Sequence, residues 1–354
     1  MRHINRREVL TGSAALAGAA ALPPTAFGAD YNLTVVSASP VQFVWNKQIQ
    51  DVFVPEATNL LKAAGNNVTW KQLYGTTVKR GGEVQAVRDG AAELAFPTIT
   101  AYVSELPLQN MSYVIPFAAE DMNAVSSAMH ELSLTDPGIA ETYKRYDNTY
   151  IANYVTPSYQ LWTKFPVKGV EDLKGVKLGC SGLTTGWIKG TGAVPVEQHI
   201  PGFYNDIKSG VFDGALTWLW VGNAIKLHEV APYVTLVNFG AVCPSVISCS
   251  TKLWNSSPAV QDAFRKAGDA YMKGVISTQQ KMESEAREKI TAAGGKVRDV
   301  SFEERVKWTS VLDEVPAEWA AEVEKAGLPA RAAMRKYVDL LTSKGVKLTR
   351  QWKI

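Results

Sequence analysis

The chain has 354 residues, of which 46% are hydrophobic and 20% are charged, a balance typical of a globular protein large enough for two domains. Its formal net charge is +3. Removal of the first 29 residues would take away three arginines and one glutamate and leave a net charge near +1. A nearly neutral chain lacks the basic surface that nucleic acids require, so we expect no nucleic-acid partner.

The first 29 residues have the features of an export signal. A basic start is followed by a short apolar stretch, and small residues return near positions 26–29. The pair Arg6–Arg7 before Glu8 resembles a twin-arginine signal, with an ordinary secretory signal as the alternative. No later stretch reaches the ~18 consecutive apolar residues of a membrane-spanning helix. We therefore expect a soluble protein in the periplasm.

Strands and helices alternate after this signal. Apolar residues recur with strand and helix periods in turn, separated by glycine and proline. Repeats of this kind imply right-handed crossovers and a parallel sheet. The prediction begins with a strand at residues 31–39, a helix at 41–64 and a second strand at 68–75. Residues 81–98 then form a helix, a turn and a third strand.

A change of pattern follows near the middle of the chain. Two β-rich runs between residues 147 and 166 predict strands that cross between two domains. A second α/β unit then begins. If residues 212–220 form a single strand, Trp218 and Trp220 lie on one face and Thr217 on the other. The other predicted strands of this unit lie at residues 175–181, 195–198, 233–240 and 245–251. A helix is predicted at residues 201–211.

A long helix is predicted after these strands. Ser256 or Ser257 is a capping residue, Pro258 suits the first helical position, and no proline interrupts the pattern before residues 294–295. About forty helical residues span roughly 50–60 Å, which is longer than one small domain. We expect this helix to contact both domains. Helical patterns resume from Phe302 to about residue 344.

Several segments of the mature chain resemble the extracytoplasmic solute receptors of tripartite ATP-independent periplasmic (TRAP) transporters. They are GGEVQAVRDGAAELAF, YVIPFAAEDMNAV, FPVKGVEDLKGVKL, GAVPVEQHIPGFYNDIKSGVFDGA and KLHEVAPYVTL, in this order and followed by the long helix. The resemblance implies an α/β, two-lobed periplasmic binding protein with a long hinge-spanning helix. It assigns residues 30–155 with 245–285 to lobe I, and 156–244 with 286–354 to lobe II.

The same resemblance implies a mode of action. A small solute is trapped between the lobes by domain closure and delivered to the membrane subunits of a TRAP permease. We expect no cofactor and no metal, and we expect a monomer because most receptors of this type act as monomers.

The chain departs from the family pattern at three positions. The family usually follows the LKGVKL strand with an arginine that binds a solute carboxylate through two hydrogen bonds, and Gly179 stands there in this chain. At two further positions the family usually has an asparagine, and this chain has Val194 at one and, roughly, Thr217 at the other. These substitutions point to a different ligand chemistry.

Other residues are candidates for the missing interactions. Lys79, Arg80 and Lys189 lie in loops that could line the cleft or simply face solvent, and Lys189 is the best replacement because it lies beside the lost arginine. Aromatic residues dominate the remaining pocket positions. The candidate ligand-binding residues are Gln42, Thr76, Thr98, Tyr102, Tyr159, Gly179, Trp187, Lys189, Glu197, His199, Phe203, Thr217, Trp218 and Phe239.

An aromatic site without this arginine suits three kinds of ligand. A small amine or quaternary ammonium compound would bind through cation–π contacts, with Glu197 as its countercharge. An aromatic acid would stack on the rings, with its carboxylate bound by backbone N–H groups or Lys189. A neutral polar solute is the third. The alternatives to a receptor with a non-standard ligand are a receptor for an ordinary organic acid bound by a relocated cation such as Lys189, and an exported enzyme.

Sequence motifs favour a receptor over an enzyme. The chain contains no HExxH, CxxC, P-loop or GxSxG motif. Its three cysteines, Cys180, Cys243 and Cys249, do not have the spacing of metal ligands, and we expect them to be small buried packing residues.

Overall fold

The computed structural model describes residues 28–354, so the predicted export signal lies outside the described residues except for Gly28 and Ala29. The strands are β1 (Asp30–Ser37), β2 (Asn67–Tyr74), β3 (Leu94–Ala95), β4 (Asn148–Thr156), β5 (Gln160–Thr163), β6 (Lys177–Cys180), β7 (Val194–Glu197), β8 (Gly214–Thr217), β9 (Tyr233–Leu236), β10 (Val242–Ser250) and β11 (Lys296–Asp299). The α-helices are α1 (Val44–Gln48), α2 (Val54–Ala63), α3 (Glu83–Arg88), α4 (Met111–Val114), α5 (Met122–Thr135), α6 (Pro137–Lys144), α7 (Phe203–Ser209), α8 (Leu219–Ala224), α9 (Thr251–Trp254), α10 (Pro258–Ala292), α11 (Phe302–Ser310), α12 (Val315–Lys325) and α13 (Ala330–Ser343).

Two mixed sheets form the centres of two lobes, which confirms the predicted two-lobed α/β fold. The sheet of lobe I has the order β2-β1-β3-β10-β4, with β1, β2 and β3 parallel and β10 antiparallel to both of its neighbours. The sheet of lobe II has the order β11-β9-β5-β8-β6-β7, in which β5 runs antiparallel to β8 and β9. The predicted parallel pairings are therefore interrupted in each sheet by a strand that arrives from the other lobe.

The chain crosses between the lobes through paired segments. One joins β4 to β5 and the other joins β9 to β10. The N–H of Tyr159 donates to the Gly240 carbonyl at 3.2 Å, and the N–H of Phe239 donates to the Tyr159 carbonyl at 3.1 Å. Asn238 and Gly240 have φ of 57° and 139°, and these left-handed conformations turn the returning segment. The hinge is thus a short hydrogen-bonded ladder.

Helix α10 is the predicted long helix that contacts both lobes. Its 35 residues span ~52 Å at 1.5 Å per residue. The Ser257 side chain caps it by accepting a hydrogen bond from the N–H of Val260 at 3.2 Å, with Pro258 in the first turn. Helix α10 packs on α2 and β4 of lobe I and on α8 and β11 of lobe II.

The C-terminal helices differ from the predicted lobe assignment. Helices α12 and α13 pack on α4 and α5, and Met334 and Tyr337 are part of the lobe I core. Within the predicted lobe II segment 286–354, the end of α10 (with Ala286 and Ile290), β11 and α11 lie with the lobe II sheet and core. The apolar face of α13 identifies a buried surface in the sequence but does not identify the lobe that covers it.

One predicted strand ends earlier than expected. Strand β8 stops at Thr217, and Leu219 begins helix α8, so Trp218 and Trp220 do not share the face of a single strand. The backbone N–H groups of Leu219 and Trp220 donate to the carboxylate of Glu283, a residue of α10 more than sixty positions away. That distant carboxylate provides acceptors for the first turn of α8, and a local sequence pattern cannot reveal it.

The cysteines are buried and unpaired, as expected for packing residues. Burial raises the pKa of the Cys180 and Cys243 thiols to about 12. Burial also raises the pKa of Cys249. These thiols are neutral near physiological pH.

Candidate functional site

An aromatic cluster lies where the two lobes meet, formed by Tyr113, Tyr159, Trp187, Trp218 and Phe239. The ring of Tyr159 packs edge-on against Trp187 and Trp218, with centroid distances of 5.0 and 4.9 Å. Trp187 stacks on Tyr113 at 6.0 Å and on Phe239 at 6.1 Å. Both lobes and the hinge therefore contribute to one group of rings.

Each ring is positioned by a different part of the chain. Trp187 lies on the 3₁₀ helix Gly182–Ile188 that follows β6, and its Nε1–H donates to the Tyr113 carbonyl of lobe I at 2.5 Å. Trp218 directly follows β8, whereas Tyr159 and Phe239 lie on the two crossing segments. The aromatic cluster consequently connects lobe II to α4 of lobe I through the hinge.

Four buried polar atoms close to this cluster have no hydrogen-bond partner among the described residues. They are Oγ1 of Thr217 and Nε1 of Trp218, Trp220 and Trp308, the last of which packs edge-on against Phe239 at 5.9 Å. An unsatisfied buried donor costs about 1–3 kcal/mol, so these groups favour an acceptor from outside the chain. Trp220 is only half-buried, and its side chain packs against the lobe I core and against both core regions of lobe II.

Glu283 of α10 holds the backbone that carries these indoles. Its Oε1 accepts from the N–H of Trp220 at 2.9 Å, and its Oε2 accepts from the N–H of Leu219 at 3.3 Å. Glu283 is half-buried by accessible surface, and this partial burial raises its pKa to about 7, although both hydrogen bonds act in the opposite direction.

A positive charge acts on the aromatic cluster from lobe I. Arg80 lies in the exposed loop between β2 and α3, and its guanidinium donates to Oγ1 of Thr100 at 2.7 Å. Burial raises the pKa of the Tyr159 hydroxyl above its usual range, while the hydroxyl of Tyr113 and the charge of Arg80 lower it by less. Arg80 is thus close enough to influence the cluster electrostatically.

The predicted lobe I residues lie in the loops at the carboxyl ends of β1, β2 and β3. Gln42 and Thr76 are exposed, and Thr98 is half-buried and bridges to Ser245. Tyr102 is buried, and its hydroxyl donates to Oε2 of Glu83 at 2.7 Å. The structure therefore gives Tyr102 a hydrogen-bonding role within lobe I.

The predicted lobe II residues separate into two groups. Trp187, Trp218 and the hinge residues Tyr159 and Phe239 come together in the aromatic cluster. The others do not join them. Phe203 is buried beside Phe212 in a separate core region, Thr217 is buried, and Lys189, Glu197 and His199 have exposed side chains.

Lys189 and Gly179, the two residues central to the expected carboxylate site, have other neighbours. The ammonium of Lys189 is 2.6 Å from Oε2 of Glu318 and 3.9 Å from Asp313. A Cβ added to Gly179 would lie 2.7 Å from ring atoms of Phe212. Phe212 therefore fills the space that a side chain at residue 179 would need.

Sequence reasoning missed Tyr113, Trp220 and Glu283 as parts of the site. Tyr113 begins one of the segments that resemble the receptor family, which was a usable signal. The sequence pattern places Trp220 only in a predicted strand. Glu283 is one of several glutamates in a long polar helix segment, and only the fold distinguishes it from Glu285, whose side chain is exposed.

Metal binding and membrane insertion find no support within residues 28–354. In this range no three or more histidine, cysteine, aspartate or glutamate side chains are grouped as a metal site. Over the same range, every helix is too short or too polar to cross a membrane.

Comparison with known proteins identifies related chains. A sequence model of the DctP family, described as bacterial extracellular solute-binding protein, family 7, matches residues 73–322. The C4-dicarboxylate-binding periplasmic protein DctP of Vibrio cholerae serotype O1 is 25% identical over 236 residues, which are 66% of this chain and 70% of that protein.

Two solved structures of TRAP solute-binding proteins have the same fold. One, from Rhodoferax ferrireducens T118 in complex with copurified benzoate, has a TM-score of 0.71 and 16% identity, covering 89% of this chain and 98% of the other. A marine metagenome protein specific for aromatic acid ligands, in complex with metahydroxyphenylacetate, has a TM-score of 0.70 and 19% identity, covering 88% and 99%.

Proposed function

The chain belongs to the DctP family, family 7 of the bacterial extracellular solute-binding proteins, and we propose that its solute is a small aromatic carboxylic acid. Members of this family are periplasmic receptors that bind small solutes and work with a TRAP permease. The chain is accordingly a receptor and not an enzyme. The identity of the solute and a monomeric state are parts of the proposal.

The observation that carries this proposal is the pair of indole N–H groups at Trp218 and Trp220. Both are buried, and neither has an acceptor within the described part of the chain. A carboxylate offers several acceptor lone pairs, and hydrogen bonds to a charged group contribute about 1.5–3 kcal/mol each. A cation has no such acceptor to offer.

The rings around these donors favour an aromatic solute. Aromatic pairs in offset or edge-to-face geometry contribute about 0.5–1.5 kcal/mol beyond their buried area. The related proteins with copurified benzoate and with metahydroxyphenylacetate bind ligands of this class on the same fold, which supports the proposal by analogy.

Arg80 is the proposed countercharge for the carboxylate. Lys189 is less suitable because its exposed ammonium is already paired with Glu318. The structure also weakens the case for a cationic solute, because Glu197 is exposed and both carboxylate oxygens of Glu283 accept backbone N–H groups. The charge expected of the family's arginine would thus come from lobe I instead of strand β6.

A matched ligand series tests the proposal. Benzoate, benzylamine and benzyl alcohol present a similar ring with a negative, a positive and no charge. We expect benzoate to raise the melting temperature most, since a ligand at about 100 times its Kd adds roughly 2.7 kcal/mol of stability. Calorimetric titration then gives the affinities, and mass spectrometry identifies any solute carried through purification.

Succinate serves as the comparison for an ordinary dicarboxylic acid. Stronger binding of succinate than of any aromatic acid would replace the aromatic proposal with a dicarboxylate receptor. Stronger binding of benzylamine than of benzoate would refute the anionic proposal altogether.

A further inference from the structure

We propose that Glu283 is a positioning residue, which holds the Trp218–Trp220 segment on helix α10 and is shielded from water when the lobes meet over the solute, so that binding takes up a proton. This inference rests on the proposed function, because it assigns a role to a residue behind the proposed carboxylate donors.

Glu283 accepts hydrogen bonds from the short backbone segment that carries the indoles of Trp218 and Trp220. Trp218 directly precedes helix α8, and Leu219 and Trp220 are its first residues. Each of these two N–H groups donates to a different oxygen of Glu283, at 3.3 and 2.9 Å. The side chain of Trp218 makes no capping hydrogen bond to α8. The carboxylate therefore sets the path of the backbone from which both indoles project.

Helix α10 connects this contact to lobe I through Gln279. The Gln279 side chain accepts from the hydroxyl of Tyr154 at 2.9 Å and donates to the Val155 carbonyl at 2.7 Å, both in β4. Residues four apart lie on the same face of a helix. One turn of α10 is consequently bonded to lobe I by Gln279 and to lobe II by Glu283, at the junction between the lobes.

Groups from both lobes shield Glu283. The hydroxyl of Tyr154 in lobe I donates to Gln279, one helical turn from Glu283, and burial raises the pKa of Tyr154, with smaller contributions from Tyr159 and Glu283. Trp220, whose N–H donates to Glu283, packs its side chain against the cores of both lobes. Separation of the lobes would part Trp220 from the lobe I core and so give water access to the carboxylate.

No charged side chain compensates Glu283 among the described neighbouring elements. Helix α8 contains no ionisable residue, and β4 presents Tyr154. On α10 itself, Lys281 and Glu285 are 3.9 Å from each other at the surface, and Arg287 pairs with Asp299 of β11 at 2.6 Å. Burial is therefore the main influence on this carboxyl group.

The sign of the pH effect follows from proton linkage. Burial raises the pKa of Glu283 from 4.5 to about 7 in this structure. A state with the higher pKa binds more protons, so lower pH favours the buried arrangement between those two values. We expect benzoate to bind up to about thirtyfold more tightly at pH 5.5 than at pH 8.5, and to take up about half a proton at pH 7.

Proton uptake is measured by titrating benzoate calorimetrically at pH 7 in buffers with different ionisation enthalpies. Wild-type protein should show the uptake and Glu283→Gln should show none. Glu285→Gln is the matched control, because it removes an exposed carboxylate two residues away and should behave like wild type. Absence of uptake in the wild type, or equal uptake in Glu283→Gln, overturns the proposal.

A second measurement needs no solute. Hydrogen exchange at the amides of Leu219 and Trp220 should be faster in Glu283→Ala than in wild type and unchanged in Glu285→Ala. Equal protection in Glu283→Ala would refute the positioning role. If no acid in the ligand series binds, the proposed function fails, whereas this experiment still decides whether Glu283 holds the segment.

Discussion

Gly179 and Phe212 provide a quantitative test of what fills the position where the family usually has an arginine. Substitution of Gly179 by alanine would place a Cβ 2.7 Å from Cε2 and Cζ of Phe212, well inside the ~3.5–4.0 Å of a favourable carbon–carbon contact. Phe212 is fully buried and packs edge-on against Phe203 at 5.8 Å, so its ring has little room to move. Overpacking of this kind costs about 1–3 kcal/mol.

The sign of the effect should reverse when the ring is removed. The φ of Gly179 is outside the left-handed region, and an alanine at such a position stabilises a protein by about 0.4–1 kcal/mol through the unfolded state. We therefore expect Gly179→Ala to destabilise the wild type but to stabilise Phe212→Ala, which itself loses about 3–5 kcal/mol. Urea unfolding of the four proteins gives the coupling energy. Additive effects would show that Phe212 does not occupy the space of the missing side chain.

Three further predictions concern the site and the thiols. Arg80→Gln should weaken benzoate binding about 10- to 150-fold, the loss expected for a charge-assisted hydrogen bond. Substitution of its exposed neighbour, Lys79→Gln, should leave the affinity for benzoate at the wild-type value. Equal affinities of Arg80→Gln and wild type would remove Arg80 from the site. Trp218→Phe retains a ring but loses the N–H donor, so calorimetry should show weaker binding of benzoate with little change for benzyl alcohol, and a parallel loss for both would indicate a packing role instead. Because Cys180, Cys243 and Cys249 are buried with raised pKa values, a thiol reagent at pH 8 should label the unfolded protein three times and the folded protein hardly at all; rapid labelling of the folded state would contradict their burial.

The sequence predicts the fold well where local signals act. Ser257 and Pro258 mark the start of α10, and the pattern of residues 41–64 predicts a helical segment that the structure has from Val44 to Ala63, with a π-helical turn at Ile49–Phe53. Periodicity fails where distant residues decide the conformation. The start of α8 depends on Glu283, and the four-residue strand β11 depends on its pairing with β9.

The candidate site is predictable to a similar extent. Aromatic residues that follow strands or lie on crossing segments do gather in one cluster, because parallel strands place their carboxyl ends at one edge of a sheet. The contacts of a single side chain are not predictable in this way. Nothing in the sequence near Gly179 indicates that Phe212 covers it, or that Lys189 pairs with a glutamate of α12 more than a hundred residues away.

The proposed arrangement divides the recognition of the carboxylate between the lobes. Arg80 belongs to lobe I, whereas the indole N–H groups of Trp218 and Trp220 belong to lobe II. Neither lobe alone can complete these interactions, so their binding energy becomes available only when the lobes meet. The same movement shields Glu283, and burial of an ionised carboxylate costs free energy unless it is protonated. Solute recognition, lobe closure and proton uptake would therefore be linked through one turn of α10, because Gln279 and Glu283 bond that turn to both lobes.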